Sequence, residues 1–410
     1  MSKQERQAWF IVATLFAALF LVFAGSYATS GVFFGPLLKQ FHMSRARLSM
    51  LASLVTLSLG LSAPIIGWIL DRVDARPVMV IGALISALSF IGASRVHSFP
   101  PLMIAYFMVG VGLGGATIVP TTLVVSNWFG KRRGFAMGLA MAGTSVGAMA
   151  MTLVAQTAVD WGGWRFGYLV LAAPMLVVVI PMVLLFIRSK PTERVFGEAH
   201  DASGAVPGFE VAEALTTRSF WMIQVAQVCF AFVVTACIVH LIPYFRTLAF
   251  RPQSAAMVLS LSFGFATLGK LLMGWVADRL GARFAIAVNF TVEALAIVLL
   301  FAALDPWAVV TFIVLFGLTF ESPLVLVPLL IAESLGLKRY GSLAGVTWLF
   351  NTVGAVLGPI VTGRIFDMTG RYTMAFELFV VLLLVGTAAC LACRPLVAAE
   401  VKLDQRAVSA

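Results

Sequence analysis

Charge is scarce in this chain. Only 11% of its 410 residues are Asp, Glu, Lys or Arg, and 61% are hydrophobic; soluble domains carry about 25% charged residues. No single soluble core absorbs that much apolar surface. Cysteine is equally sparse. Cys229, Cys237, Cys390 and Cys393 all fall in apolar runs, and Cys390-x-x-Cys393 reads as helix packing, not as a redox or metal pair. There is no Walker-type phosphate loop, no His/Asp metal spacing and no Ser/His arrangement, so ATP-driven, metal-dependent and intramembrane hydrolytic chemistry have no carriers. No enzyme activity and no cofactor are expected. Gly110-x-Gly112-x-x-Gly115 matches the dinucleotide expression but sits inside a long uncharged run, where small residues serve close helix packing. The alternating strand pattern of an outer-membrane barrel is missing too.

What the chain has is long apolar runs. Stretches 7–38, 48–70, 77–94, 96–130, 134–159, 166–187, 219–245 and 340–363 contain no Asp, Glu, Lys or Arg. Runs 252–277, 284–304 and 306–332 each hold one interior charge, and a last run follows Glu377. At roughly 18 or more residues apiece these read as spanning helices. They make twelve, six on each side of a polar, Gly/Pro-containing segment at 188–218 with a short surface helix expected over Phe209–Leu215. The first run is far longer than a signal-peptide core and is expected to stay as helix 1. The domain reading is a six-helix bundle at 1–187, a cytosolic linker at 188–218, a second bundle at 219–394 and a cytosolic tail at 395–410. The loops leave no room for a soluble domain.

The net charge of +10 invites a nucleic-acid reading that the positions refuse. With the N-terminus in the cytosol, roughly twice as many Lys and Arg fall in cytosolic as in outer segments, as the positive-inside rule requires. The basic balance therefore sets topology and attracts anionic headgroups. Both termini are expected in the cytosol, and the protein in the plasma membrane (a bacterial inner membrane), as a monomer.

A phrase recurs. Gly67–Arg72 reads GWILDR and Gly274–Arg279 reads GWVADR, 207 residues apart in a chain of 410. Gly143-x-x-x-Gly147 and Gly354-x-x-x-Gly358 repeat at nearly the same offset. Such a repeat in a chain of apolar segments indicates a duplicated membrane protein. Gly67 and Gly274 allow close helix contact. Asp71 and Asp278 can pair with an Arg (Arg72, Arg76, Arg279 or Arg283) or accept hydrogen bonds from a helix N-terminus. Bonds of this kind, made in one state and broken in another, bias a two-state equilibrium, so Gly67, Asp71, Arg72, Arg76, Asp278, Arg279 and Arg283 are gating candidates.

Two six-helix halves with G-x-x-x-D-R-x-x-x-R loops resemble the major facilitator superfamily over nearly the whole chain. Finer features resemble its oxalate/formate antiporter and monocarboxylate transporter branch: Asn127-Trp128-Phe129 with Lys131-Arg132-Arg133-Gly134, Gly163-Trp164-Arg165, and His240-x-x-Pro243-Tyr244. The resemblance implies an all-α membrane protein of twelve transmembrane helices in two pseudo-symmetric bundles, the major facilitator fold. The first loop departs from the superfamily pattern, with Asp74 where the second keeps Gly281; Asp tolerates a left-handed backbone, so the turn is expected to survive.

Charge inside a span costs roughly 2.5–3.5 kcal/mol on insertion scales and so marks function. Lys270, Glu293 and Glu321 are such charges, with His240 near the outer end of helix 7. Lys270 and Glu321 come out at similar depth on helices that the superfamily arrangement makes neighbours, so an ion pair is expected; proton binding to Glu321 would free Lys270 for an anion. The resemblance implies an Arg near the Lys270 position for substrate carboxylate, and it implies coupling at a carboxylate near Ala266, not at Glu321. Glu293 has no assigned role and is expected to be structural, either protonated or hydrogen-bonded to Asn289 one turn earlier. Tyr27, Thr117, Thr121, His240, Trp348 and Asn351 are the remaining substrate-binding candidates. The function these features imply is secondary active transport of a small organic anion, a monocarboxylate, by alternating access coupled to protons or to a counter-anion. The rival is a proton-driven exporter of cationic or amphipathic compounds using Glu321. A receptor or scaffold leaves the duplicated motif unexplained.

Overall fold

The structure is a computed structural model that describes residues 3–42, 45–130, 132–189 and 208–394. Lys131, most of the expected linker (190–207) and the expected tail (395–410) lie outside the described residues. Among the described residues, eleven helices are long and apolar enough to cross a membrane. One of them, Arg133–Phe186, runs 54 residues. At 1.5 Å per residue that is about 80 Å, against a hydrocarbon core of about 30 Å. Gly163 breaks it with φ 74° and ψ 176°, a conformation that favours glycine. The twelve spans are therefore α1 (Gln4–Phe41), α2 (Met50–Leu70), α3 (Ala75–Arg95), α4 (Phe99–Trp128), α5 (133–162), α6 (164–186), α7 (Arg218–Thr247), α8 (Gln253–Leu280), α9 (Ala282–Ala302), α10 (Pro306–Leu335), α11 (Tyr340–Thr369) and α12 (Thr373–Leu391).

Residue contacts divide the chain into two units: Met1–Lys131, Leu139–Ala199 and Gly341–Leu349 form one; Arg132–Gly138, His200–Tyr340 and Phe350–Ala410 form the other. The first turns of α5 and α11 thus each belong to a different unit from the rest of their helix. Within the first unit, Gly143 and Gly147 of α5 lie against the backbone of Phe16 and Phe20 in α1. Within the second, Gly354 and Gly358 of α11 lie against the carbonyls of Val228 and Phe232 in α7. The two small-xxx-small pairs make the same close crossing, so the repeat seen in sequence is a repeat of packing. The dinucleotide-like glycines do the same work: Gly110 meets α2 at Val55 and Ser58, and Gly112 and Gly115 meet α3 at Gly82.

The fourth helix of each repeat is broken. In α4, Thr117 leaves the helical region (φ −124°, ψ −102°). In α10 the helix stops at Thr319 and resumes at Pro323. Each break has a proline just beyond it, Pro120 and Pro323, which lacks the amide that would have bonded the carbonyl four residues earlier. The Thr319 carbonyl, denied that amide, accepts from Ser322 N at 3.0 Å and from Asn289 Nδ2 of α9 at 3.2 Å.

The surface helix after the linker forms over Val211–Thr216 and is pinned in place. Glu210 and Glu213 close a reciprocal capping box. The Glu210 carboxylate bonds Arg339 Nε at 2.7 Å and Lys338 Nζ at 3.4 Å. Phe209 N donates to Leu335 O. The hydrogen bond from Arg339 holds the Glu210 carboxyl below the usual range, helped by Lys338. A lowered folded value means that the contact is complete above the ordinary Glu range and is lost as pH falls through the lowered value. Glu210→Gln is accordingly expected to speed amide exchange across 208–217 relative to wild type at neutral pH, and that difference is expected to vanish in acid.

Candidate functional site

Lys270 has no exposed surface. Its Nζ donates to Glu321 Oε2 at 2.6 Å, and the Glu321 side chain keeps 16% exposure. Backbone proximity makes the pair. Gly269, next to Lys270, lies against Leu318 of α10, and Gly317 lies against Ser262 and Phe265 of α8. With no side chains between them, α8 and α10 approach closely at this level, and the break after Thr319 carries Glu321 to the ammonium. Broken helices present ion-binding groups at mid-membrane in transporters generally. An unpaired buried ammonium would cost several kcal/mol; here the pair is formed, and its carboxylate end is the accessible one. Such a site can exchange one anion for another at a fixed cation, or take a proton on the carboxylate.

The other candidates are placed differently. His240 is held through Nε2 by the Pro359 carbonyl at 3.0 Å and through Nδ1 by Tyr372 Oη at 3.3 Å. Thr117 donates to the Leu113 carbonyl at 2.6 Å, within its own helix. Thr121 is fully buried, and its hydroxyl has no partner among the described residues. Tyr27 is 42% exposed and stacks on Phe23. Trp348 and Asn351 are half-buried, on α11. Tyr27, Thr117, Thr121 and Trp348 belong to the first unit; Lys270, Glu321, His240 and Asn351 belong to the second. Of the two alternatives for Glu293, the bond to Asn289 is not formed: Glu293 is wholly buried and bonded to no described residue, and Asn289 is turned to Thr319.

The two loop motifs resolve an alternative that the sequence left open. Their aspartates cap helices and form no salt bridge with an arginine among the described residues. Asp71 accepts from Gly341 N at 2.8 Å and from Ser342 N at 3.0 Å, with the Ser342 hydroxyl at 2.5 Å, and so caps α11. Asp278 accepts from Gly134 N at 2.6 Å and Phe135 N at 2.9 Å, and so caps α5. Gly67 touches Gly341, and Gly134 touches Gly274, backbone to backbone. A carboxylate at a helix N-terminus meets free amides and the positive end of the dipole. The arginines act elsewhere. Arg72 lies 3.6 Å over Trp68 and Arg279 lies 4.1 Å over Trp275. Arg76 Nε donates to Ile187 O at 2.8 Å and an Arg283 guanidinium N–H to Cys393 O at 3.4 Å, each beyond the last span of a repeat.

Asp74 corrects an expectation. It is not left-handed: at φ −58° and ψ 144° it is the N-cap of α3. Its carboxylate accepts from Arg76 N and Ser189 N. Gly281, its counterpart, has φ 83°, and there Glu333 reaches across from α10 to the amide of Ala282. One loop carries its own cap; the other borrows it. The motif join after α4 is structural as well, with Asn127 Nδ2 bonded to Ser189 O and Trp128 Nε1 to Arg188 O.

Comparison with known proteins agrees with this geometry. The sequence model of the Major Facilitator Superfamily matches residues 15–359 and 228–407. The chain is 26% identical to an uncharacterized MFS-type transporter, YcxA, of Bacillus subtilis, over 93% of this chain and 94% of that one. It is likewise 26% identical to monocarboxylate transporter 13 of Rattus norvegicus, over 92% and 87%. Among solved structures, the E. coli fucose:proton symporter FucP superposes with TM-score 0.69 at 16% identity, covering 93% of this chain and 98% of that one. The human organic anion transporter MFSD10 superposes with TM-score 0.71 at 16% identity, covering 95% and 100%.

The buried pair makes a stability prediction. Glu321→Leu removes the carboxylate that faces the buried Lys270 ammonium and is expected to cost about 3–5 kcal/mol, read as a lowered unfolding temperature in detergent. Lys270→Met combined with Glu321→Leu is expected to return close to wild type. A double variant as unstable as the single one would contradict the pairing.

Proposed function

The chain belongs to the major facilitator superfamily, and from that premise we propose that it is a secondary active transporter of a small organic anion of the monocarboxylate class. The observation that carries the proposal is the wholly buried Lys270 paired with the partly exposed Glu321. Lys270 holds the substrate carboxylate, and Glu321 occupies that place when substrate is absent. A proton on Glu321 removes its charge, frees the ammonium and admits the anion, so that proton and anion move together; an exchanged counter-anion would use the same cation. A lysine supplies a compact point charge, not a bidentate fork, so a single carboxylate oxygen is the natural ligand. Asn351 and the held His240, in the same unit as Lys270, contribute to its site. Thr121, with its free buried hydroxyl, Tyr27 and Trp348 are substrate-binding candidates of the first unit taken by itself. Thr117, spent on its own helix, serves the break in α4. Relatives named monocarboxylate transporters and a structural neighbour described as an organic anion transporter support the substrate class.

Movement is by alternating access, with the Asp71 and Asp278 caps as the gating contacts. Each carboxylate caps the first turn of a helix that continues into the other unit, so releasing the cap and moving the helix are one event. The site lies in the plasma membrane of a cell with the termini in the cytosol. The exporter reading is weaker, because Glu321 is already occupied by a lysine that would repel a cationic cargo.

Uptake by proteoliposomes tests the substrate class. Across a panel of labelled monocarboxylates, with and without an inward-acid pH gradient, at least one acid is expected to accumulate, and Lys270→Gln is expected to lower that uptake at least about tenfold, a loss of roughly 1.4 kcal/mol or more. Uptake of none of the acids, with proton flux driven by lipophilic cations instead, would overturn the proposal. For gating, Asp71→Asn is expected to weaken the α11 cap and shift the inward/outward ratio read by cysteine accessibility. An unchanged ratio together with an unchanged rate would remove Asp71 from that role.

A further inference from the structure

Glu293 is a buried acidic group that neither the loop motifs nor the Lys270 pair uses. It stands in α9 with no exposed surface, and neither of its carboxyl oxygens has a hydrogen-bond partner among the described residues. Asn289, one turn earlier, gives its amide hydrogens to Thr319 O and leaves its own Oδ1 equally unpartnered.

The groups packed around α9 supply no countercharge. Cys237 of α7 is the titratable neighbour that Glu293 acts on electrostatically, and it is buried; His240, further along α7, is bonded to Pro359 and Tyr372. From α8 and α10, Lys270 and Glu321 are bonded to each other. Asp278 is bonded to the amides of Gly134 and Phe135, and Glu333 to that of Ala282. Of the ionisable residues in α12, Cys390 is buried and uncharged in kind, and Glu377 is exposed. A carboxylate in this place would have lost its water and gained neither a cation nor a donor. An isolated buried charge is relieved by taking up a proton.

We propose that Glu293 is a proton-binding site, a neutral carboxylic acid in this conformation, separate from Glu321. The two carboxyls are mechanically linked. Asn289 fixes α9 to the Thr319 carbonyl at the break from which Glu321 emerges, so a shift of that break when the Lys270 pair opens moves the α9 segment carrying Glu293. The site gives the second unit a second place to hold a proton. Intramembrane carboxyls are rare and mark proton relays in pumps and transporters.

Infrared spectroscopy of the reconstituted full chain tests this, with protons as the only ligand. At neutral pH the wild type is expected to show the C=O band of an undissociated carboxyl, retained in Glu321→Gln and lost in Glu293→Gln. Because an amide replaces a neutral acid, Glu293→Gln is expected to unfold within a few degrees of wild type. Glu293→Asp, which keeps an acid one methylene shorter, is expected to shift the band without removing it. Titration from neutral to alkaline pH is expected to release one proton fewer from Glu293→Gln than from wild type. A wild-type spectrum without the band, or a band unchanged in Glu293→Gln, would overturn the proposal. Failure of the anion reading would appear separately, as undiminished uptake in Lys270→Gln.

Discussion

A lysine with no exposed surface inside a membrane protein cannot stand alone. The Lys270–Glu321 pair is the contact on which the second unit is organised, because either charge without the other would cost more than a few local hydrogen bonds return. Three features meet to make it. Gly269 and Gly317 bring α8 and α10 together at the backbone. Pro323 interrupts α10 at the level of the ammonium. At the interruption the Thr319 carbonyl accepts from Ser322 N and also from Asn289 Nδ2, which ties α9 to the break. Close packing, a helix break and an ion pair are here one construction, in which Glu321 keeps the exposure that Lys270 lacks.

The duplicated loops answer a different constraint. Helix N-termini at the membrane surface present free amides, and both repeats satisfy α11 or α5 with an aspartate carried at the end of α2 or α8. The arginines of the motif then lie on tryptophan rings or bond the chain end beyond the last span of the repeat. Duplication preserved this scheme while letting details drift: Asp74 caps α3 from within its own loop, whereas α9 is capped by Glu333 from another helix. The first unit has no counterpart of Lys270. The asymmetry between the repeats is therefore concentrated at the site where we place the substrate.

Much of this was legible in the sequence. Twelve spans followed from apolar run lengths, the two repeats from GW-x-x-DR, and the Lys270–Glu321 contact from matched depth on helices taken as neighbours. Local readings did less well where a residue's partner is distant in sequence. Asp74 looked like a left-handed turn residue, because the Ser189 amide that it caps is far along the chain. Glu293 looked able to bond Asn289, because the spacing along one helix does not reveal that Pro323 on another has freed a better acceptor. Glu333 carried no signal as the α9 cap, and Glu210 carried none as the anchor of the short helix. Pro120 and Pro323 were visible, but that both break corresponding helices becomes clear only when the breaks are seen.

The central claim is that Glu321 and a substrate carboxylate compete for Lys270. It is tested most directly by measuring monocarboxylate affinity as a function of pH in the wild type and in Glu321→Gln. If the two anions compete, wild-type affinity rises as pH falls and Glu321 is neutralised, while Glu321→Gln binds tightly at every pH with no such rise. Weak binding in Glu321→Gln, or a pH dependence identical to wild type, would contradict it.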